Sequence, residues 1–163
     1  MTMRYMRGKT GGYTLIESMI VLLIVGIATG AAVPPLLQYV RQARFQDYSS
    51  QAEYLVKFAR LYAMERTTNV GICLGTGQIV LRDLGTGRSA DICSAGTIVR
   101  SVQLPSAYPY LSFSGSNAAL DPRGLAITTG NLCTSYGSNS NNICIGKTRI
   151  NRMEVAGGCG TCP

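Results

Sequence analysis

The chain contains no histidine, no tryptophan and only eight acidic residues among its 163. Without histidine, neither a catalytic triad that depends on histidine nor a histidine general base can be built. Apart from Glu17, the acidic residues are scattered, and they lack the spacing of paired catalytic carboxylates or of a calcium loop. The glycines form no phosphate-binding loop. The sequence therefore predicts a protein that is not an enzyme and that uses no cofactor or metal ion.

Charge is also absent from residues 19–33, a continuous apolar run. As a helix, residues 13–33 would measure about 31 Å, which is close to the hydrocarbon thickness of a bilayer. Arg4, Arg7 and Lys9 precede the run, and no basic residue follows them before Arg41. Because basic residues tend to stay in the cytoplasm, residues 1–12 are expected there and the chain after about residue 39 outside it.

Glu17 lies near the entrance of this apolar run. An ionised carboxylate at the centre of a membrane helix costs about 2.5–3.5 kcal/mol, and less near the interface, so such a residue normally has a partner. Cleavage between Gly12 and Tyr13 would create an α-amino group one helical turn before Glu17, on the same face of the helix. This new amino terminus is the partner that the sequence offers.

The segment G-Y-T-L-I-E from Gly12 to Glu17, the basic leader, the long apolar helix and Pro34 together resemble the prepilin signature of type IV pilins and type II secretion pseudopilins. The resemblance implies that a prepilin peptidase cleaves after Gly12 and methylates the new amino terminus at Tyr13. It also implies that Glu17 pairs with the amino terminus of a neighbouring subunit and that Pro34 belongs to the helix used in assembly. Tyr13 departs from the commoner phenylalanine.

Two other kinds of segment share features with the apolar run. A secretory signal peptide would have a basic start, an apolar core and small residues, such as those at 30–32, before its cleavage site. It would not need Glu17, and its apolar core is usually shorter. A single-pass anchor without a role in assembly is the other alternative. We favour the prepilin interpretation over both.

We predict an α+β fold with three segments: a cleaved leader at 1–12, a helix at 13–66 and a β-rich head domain at 67–163. The helix spans the membrane over 13–37, should kink at Pro34 and Pro35, and continues with an amphipathic period to about Arg66. Short antiparallel strands should then pack on the helix, with a polar turn at 137–142. The predicted strands are 70–74, 78–81, 97–104, 110–113, 125–128, 142–145 and 149–155.

Residues 55–74 and 113–124 also resemble the GspH/FimT branch of the pilin family. That resemblance implies an extended helix capped by a β-sandwich-like head. It further implies a role in initiating or capping a filament rather than in forming its bulk.

Six cysteines in a small extracytoplasmic domain indicate disulfide bonds. Six cysteines allow 15 pairings, and proximity along the chain favours Cys73 with Cys93, Cys133 with Cys144, and Cys159 with Cys162. The spacing of Cys159 and Cys162 also occurs in redox motifs, but no helix follows them to lower a thiol pKa. A zinc site would need a second close pair or a histidine.

Three positive charges, Lys147, Arg149 and Arg152, lie within six residues near the C-terminus. The segment resembles the G-R-x-R element with which some FimT-type minor pilins contact DNA, with Lys147 in place of the first arginine. Alternation along a strand would place Lys147 and Arg149 on one face, where each could neutralise a phosphate. A solvated strand with ordinary surface charges is the alternative.

The resemblance thus predicts a minor type IV pilin that acts in pilus initiation or at the tip, with a minor pseudopilin and a DNA-binding tip pilin as alternatives. The implied partners are the prepilin peptidase, other pilin subunits through the N-terminal helix, the inner membrane and, in the last case, DNA. The head domain would be periplasmic first and would then enter an extracellular or periplasmic filament.

Overall fold

The computed structural model describes Gly12 and residues 14–87, 91–160 and 162. Within these residues a 52-residue helix, α1 (Leu15–Arg66), precedes nine strands, which confirms the predicted α+β class. The described residues form two compact units that divide between Val40 and Arg41, inside α1. The strands are β1 (Asn69–Gly75), β2 (Gln78–Gly85), β3 (Thr97–Gln103), β4 (Leu111–Ser116), β5 (Ala118–Leu120), β6 (Ala126–Thr128), β7 (Gly130–Tyr136), β8 (Asn139–Ile145) and β9 (Ile150–Ala156).

The end of α1 is set by the backbone at Thr67. Thr67 has a φ of 55°, in the left-handed region, and the Thr68 N–H donates to the Ala63 carbonyl at 3.2 Å. A left-handed residue with such a hydrogen bond is a common way for a helix to end. Pro34 and Pro35 lie inside α1, and the helix continues through both. The helix therefore ends where the sequence predicts, next to the first strand.

The strands form two antiparallel sheets in the second unit. The first sheet has the order β3-β2-β1-β5-β6, and the second has the order β4-β7-β8-β9. Each of the seven predicted runs falls on a strand, but the sequence interpretation missed β5 and β7. The predicted turn at 137–142 is shorter in the structure, because β8 already begins at Asn139.

Residues 52–63 of α1 pack against both sheets. The buried stripe of the helix recurs at three- and four-residue spacing, as expected for one face of an amphipathic helix. Small alanines alternate with larger side chains along this stripe, which lets the strands approach closely. The fully buried helix residues are Ala52, Leu55, Val56, Ala59 and Ala63, and their strand partners in the core include Val70, Ile72, Ile79, Leu81, Leu120, Leu132, Ile143 and Ile145.

After β9 the chain turns back across the second sheet as residues 157–160 and Cys162, which we name the C-terminal strap. The Ser140 hydroxyl donates to the Gly158 carbonyl at 2.7 Å, and the Asn142 amide donates to the Gly160 carbonyl at 2.7 Å. The strap therefore follows β8 along the sheet face opposite the core, and it satisfies polar side chains that alternate on that strand.

Two disulfides join the strap to the sheet, Cys133–Cys159 and Cys144–Cys162, with Cα–Cα distances of 5.8 and 5.6 Å. The predicted Cys73–Cys93 bond is present, whereas the predicted pairings Cys133–Cys144 and Cys159–Cys162 are wrong. Cys133 opposes Asn142 in the β7–β8 pairing, so Cys133 and Cys144 are diagonal neighbours on one face. Diagonal neighbours lie about 7–8 Å apart, beyond the usual span of a disulfide.

A polar network fixes α1 to β9. Arg152 Nη2 donates to Gln46 Oε1 at 2.8 Å, and Arg152 Nη1 lies 3.3 Å from Glu53 Oε2. Glu53 also pairs with Lys57 at 2.6 Å. The hydrogen bond from Lys57 lowers the pKa of Glu53, burial opposes this effect, and the hydrogen bond from Arg152 lowers the pKa further.

The disulfide pairing can be tested by counting free thiols in the full chain. In a Cys144→Ser, Cys162→Ser double variant, we expect no free thiol, because Cys133 and Cys159 remain bonded to each other. Pairing by sequence proximity would instead leave both Cys133 and Cys159 free in this variant. A Cys73→Ser, Cys93→Ser double variant is the control, since it should have no free thiol under either pairing. Two free thiols in the first variant would refute the observed connectivity.

Replacing Glu53 by Gln should lower the free energy of unfolding by about 1–2 kcal/mol at neutral pH, since charge-assisted hydrogen bonds are lost at a partly exposed site. The pKa of Glu53 is lowered in the folded chain, so its contribution is complete above its ordinary pKa of 4.5 and is lost as the pH falls through the lowered value. The difference between wild type and variant should therefore shrink on acidification. Denaturant titration in detergent, followed by tyrosine near-ultraviolet dichroism, measures it.

Exposed Glu65 on the same helix provides the matched control for this experiment. A Glu65→Gln change should alter the free energy of unfolding by less than the Glu53 change. Equal losses from the two changes, or a difference that does not depend on pH, would contradict the stabilising role of the network.

Candidate functional site

The first unit presents an apolar helical surface. In this part of α1 the most apolar window of 18 residues has a mean hydropathy of 2.3, and none of it is buried in the chain. Leu15 and Leu22 are 78% and 71% exposed. By length and composition α1 is the helix, among the described residues, that could cross a membrane. Such a surface needs a bilayer or other apolar helices as its surroundings.

Thr14 and Glu17 define the start of α1. Thr14 accepts hydrogen bonds from the Glu17 N–H at its carbonyl, 3.1 Å, and at its hydroxyl, 3.4 Å. A threonine followed three residues later by glutamate is the spacing of a capping box. The sequence interpretation missed this role of Thr14, although the T-x-x-E spacing was visible.

Glu17 is exposed in the first turn of α1, where a carboxylate is favoured by the helix dipole. Within the described part of the chain, Glu17 takes part in no ion pair. Tyr13, whose amino group is the predicted partner, and leader residues 1–11 lie outside the described residues, whereas the backbone of Gly12 and of Pro34 is described. Among the described residues the carboxylate therefore has no cationic partner, and it is exposed to one from elsewhere.

Lys147 and Arg149 lie in the turn between β8 and β9, not on a strand face as the alternation suggested. The Gly146 N–H donates to the Arg149 carbonyl at 2.9 Å, and the Lys147 carbonyl accepts from Ala126 N–H at 3.0 Å. These bonds hold the turn against β6 and leave both side chains exposed. Neither side chain forms an ion pair with another described residue.

The two cations line an open pocket of about 560 Å³ at the end of the second sheet. Its walls include hydroxyl and amide side chains from three other segments, and the Cys144–Cys162 disulfide is part of its lining. The polar members are Ser116, Thr129, Asn131, Thr148 and Asn151. The pocket therefore combines positive charge with hydrogen-bonding groups suited to a phosphate-bearing or similarly anionic polymer.

Arg152 is separated from this pair. Successive side chains of β9 point to opposite faces of the sheet, and Arg152 is paired with the core residue Ile143 of β8. The guanidinium of Arg152 therefore points to α1, where it contacts Gln46 and Glu53. Its side chain is only 24% exposed. The structure does not bring Arg152 together with Lys147 and Arg149, because Arg152 belongs to the polar network between α1 and β9.

Metal ligation has little support in the described residues. That part of the chain contains no cluster of three or more His, Cys, Asp or Glu side chains that could hold a metal ion. All six cysteines are engaged in disulfides.

Residues 7–33 match a family model described as the prokaryotic N-terminal methylation motif. The chain is also similar in fold to the type IV minor pilin FimU of Pseudomonas aeruginosa strain PAO1, in two crystal forms. The P21 form gives a TM-score of 0.54 at 13% identity and covers 71% of this chain and 92% of FimU. The P65 form gives 0.50 at 13% identity and covers 66% and 91%.

The two comparisons concern different features of the chain, its N-terminal sequence and its three-dimensional fold. The methylation motif includes Gly12, Glu17 and the whole apolar run at 19–33. At 13% identity the structural match establishes the fold and no further property. Together they agree with the predictions of a structural subunit that is not an enzyme and of a helix that anchors it in the inner membrane. The chain therefore carries a prokaryotic N-terminal methylation motif at residues 7–33, and its fold is similar to that of the type IV minor pilin FimU.

Proposed function

We propose that the chain is a minor type IV pilin of the GspH/FimT branch, held in the inner membrane and then incorporated at or near the tip of a filament. Prepilin peptidase removes residues 1–12 after Gly12 and methylates Tyr13. The membrane-spanning helix 13–37 then packs against the helices of neighbouring subunits, and residues 67–163 form the head domain outside the cytoplasm.

The observation that carries this proposal is Glu17 at the start of an exposed apolar helix. A carboxylate with no cationic partner among the described residues is costly to move into a bilayer or a helix bundle. A processed amino terminus on a neighbouring helix would neutralise it and fix the axial register between the two subunits. Gly26 and Gly30 support close packing of such helices, because a Cβ at either position would meet nothing within 4 Å.

The minor pilin is favoured over the alternative, a minor pseudopilin of a type II secretion system, for two reasons. The matched structures are of a type IV minor pilin. The three disulfides, two of which fasten the C-terminal strap, suit a head domain that must persist outside the cell. A role in initiating or capping the filament follows from the branch resemblance.

A DNA-binding tip pilin is the second candidate, favoured by the exposed pair Lys147 and Arg149 at the rim of the polar pocket. Both cations lack ion-pair partners among the described residues, so binding a phosphate would not require breaking an existing pair. Lys147 contributes a single charge, whereas Arg149 can hold a phosphate through two N–H groups. Arg152 takes no part in this candidate site.

The test of the assembly role compares the chain in sheared filaments with the chain left in the membrane. We expect the filament form to lack residues 1–12 and to carry one added methyl group at its amino terminus, as measured by intact mass. A Glu17→Leu variant should be cleaved but should remain in the membrane fraction, because the charge that orders its insertion is missing.

Two controls separate processing from assembly. A Gly12→Val variant should keep its leader and stay out of filaments, since the cleavage site is blocked. A Glu65→Gln variant, changed on the exposed surface of α1 far from the amino terminus, should enter filaments like the wild type. Entry of the Glu17→Leu variant at the wild-type level, or filaments containing the uncleaved chain, would refute the proposal.

The DNA candidate is tested by the affinity of the full chain for duplex DNA over a series of salt concentrations. We expect a Lys147→Ala, Arg149→Ala variant to bind more weakly and to show a salt slope smaller by about two, since each phosphate contact contributes about one unit. An Arg66→Ala, Arg123→Ala variant removes the same charge from two other exposed positions and should bind as the wild type does. Equal losses in both variants would show that net charge, and not this turn, is responsible.

A further inference from the structure

Five aromatic side chains form a continuous group in the second unit, which we name the aromatic cluster: Phe45, Tyr48, Tyr108, Tyr110 and Tyr136. The ring centroids of Tyr110 and Tyr136 are 5.5 Å apart, those of Tyr108 and Tyr110 are 5.8 Å apart, and Tyr48 meets Tyr108 edge to face at 6.0 Å. Phe45 joins Tyr136 at 6.1 Å. Phe45 is buried beneath the cluster, whereas the four tyrosines are half-buried. Three elements, α1, the β3–β4 loop and β7, therefore contribute tyrosines to one aromatic surface.

Two arginines of α1 stack on this surface. The Arg41 guanidinium lies 5.6 Å from the centroid of Tyr110, and the Arg44 guanidinium lies 5.7 Å from the centroid of Tyr108. Both arginines are exposed, and within the described residues neither forms an ion pair. Stacking on a ring orients a guanidinium and leaves its N–H groups free to bind an anion.

The β3–β4 loop is built to present its tyrosines. The Tyr108 N–H donates to the Pro105 carbonyl and the Leu111 N–H donates to the Tyr108 carbonyl, both at 3.0 Å. These two turns, with Pro105 and Pro109, restrict the loop so that Tyr108 and Tyr110 meet the rings of α1 and β7. The loop itself has no acidic residue.

The position of the two arginines in the chain indicates what the surface meets. Residues 18–40 carry no charge, and Arg41 is the first charged residue after them. The arginines therefore follow the membrane-spanning segment by less than two helical turns. Tyrosine is enriched where a membrane meets water, and arginine at that depth reaches lipid phosphates with its guanidinium.

We propose that the aromatic cluster with Arg41 and Arg44 is a membrane-contacting surface that binds phospholipid headgroups on the extracytoplasmic leaflet. The tyrosine rings lie at the level of the headgroups, and the two guanidinium groups bind lipid phosphate oxygens. The contact would hold the head domain on the bilayer before the subunit enters a filament. It depends on the membrane-anchored state of the chain, not on any role in a filament.

The charges near the cluster agree with this occupant. Asp47 is the acidic residue of α1 closest along the chain to the arginines, and its carboxylate accepts a hydrogen bond from Gln51 at 3.3 Å. Burial is the main cause that raises the pKa of Tyr48, and the neighbouring Tyr108 adds to it. Tyr48 therefore stays neutral at physiological pH, and Arg41 and Arg44 bring positive charge to the surface.

The absence of tryptophan from the chain permits a direct test. The full chain carrying Tyr110→Trp is reconstituted in vesicles of phosphatidylcholine and phosphatidylglycerol, with part of the phosphatidylcholine bearing a nitroxide on its headgroup. Nitroxide quenches tryptophan emission only at short range, so we expect most of the emission from Trp at this position to be lost. Adding Arg41→Gln and Arg44→Gln should restore much of it.

Leu61 provides the matched control, because it is 61% exposed on the same helix and lies about 30 Å beyond Arg41 along the helix axis. A Leu61→Trp chain in the same vesicles should keep its emission. A Tyr108→Trp chain repeats the measurement with a second ring of the cluster, and free-thiol counts check that each variant is folded. Equal quenching at positions 110 and 61, or no quenching at either tyrosine position, would overturn the proposal and favour a protein partner for this surface.

Discussion

The burial of one stripe of α1, from Ala52 to Ala63, is the constraint on which the second unit depends. The stripe faces both sheets, and its alanines are completely buried together with Leu55 and Val56. Small residues at these positions allow the strands to approach the helix, while the larger side chains fill the space between them. A larger residue at Ala59 would have to displace the strands themselves, because the neighbouring core positions have no free surface.

Strand β8 of the second sheet carries buried polar residues on both faces, because Ser140 and Asn142 face the strap and Asn141 faces α1. Ser140, Asn141 and Asn142 are each at most 3% exposed. Buried amide and hydroxyl groups are costly unless they find hydrogen-bond partners. The C-terminal strap provides carbonyl acceptors for Ser140 and Asn142, and Gln46 of α1 lies 3.5 Å from the Asn141 amide. The strap is short and irregular and has little apolar area of its own. Its two disulfides therefore hold it on the sheet.

The sequence predicts the secondary structure correctly wherever one hydrophobic periodicity or one local signal determines it. The apolar run, the amphipathic continuation to Arg66 and seven of the nine strands in the described residues follow from such signals. The strands β5 and β7 were missed because Ala118–Leu120 is only three residues long and β7 begins with a glycine and an asparagine. The polar residues at 137–142 predict a turn, whereas β8 already begins at Asn139. The burial of Ser140 and Asn142 depends on the strap, which lies nearly twenty residues later and has no local signature.

Long-range pairing explains the remaining errors at the candidate sites. The disulfides of the strap depend on how the chain returns across β7 and β8, and proximity along the sequence carries no information on that path. Lys147, Arg149 and Arg152 look alike in sequence, yet the β8–β9 turn directs the first two to solvent and strand alternation directs Arg152 to α1. The aromatic cluster combines residues about 90 positions apart, from Phe45 to Tyr136, so it could be found only after folding.

The division of the cations has a functional consequence. A charge that already forms close contacts inside the fold, as Arg152 does, cannot bind a ligand without breaking them, and its loss is expected to appear as lower stability. Lys147 and Arg149, and separately Arg41 and Arg44, are exposed and lack ion pairs among the described residues. Loss of Lys147 and Arg149 should change binding while leaving stability nearly unchanged. Loss of Arg41 and Arg44 should in addition remove their contacts with the rings of Tyr110 and Tyr108. The two pairs lie on different elements. Lys147 and Arg149 lie in the β8–β9 turn, and Arg41 and Arg44 lie in α1 where the second unit begins. A nucleic acid and a lipid surface could therefore be bound by the same head domain without competing for the same side chains.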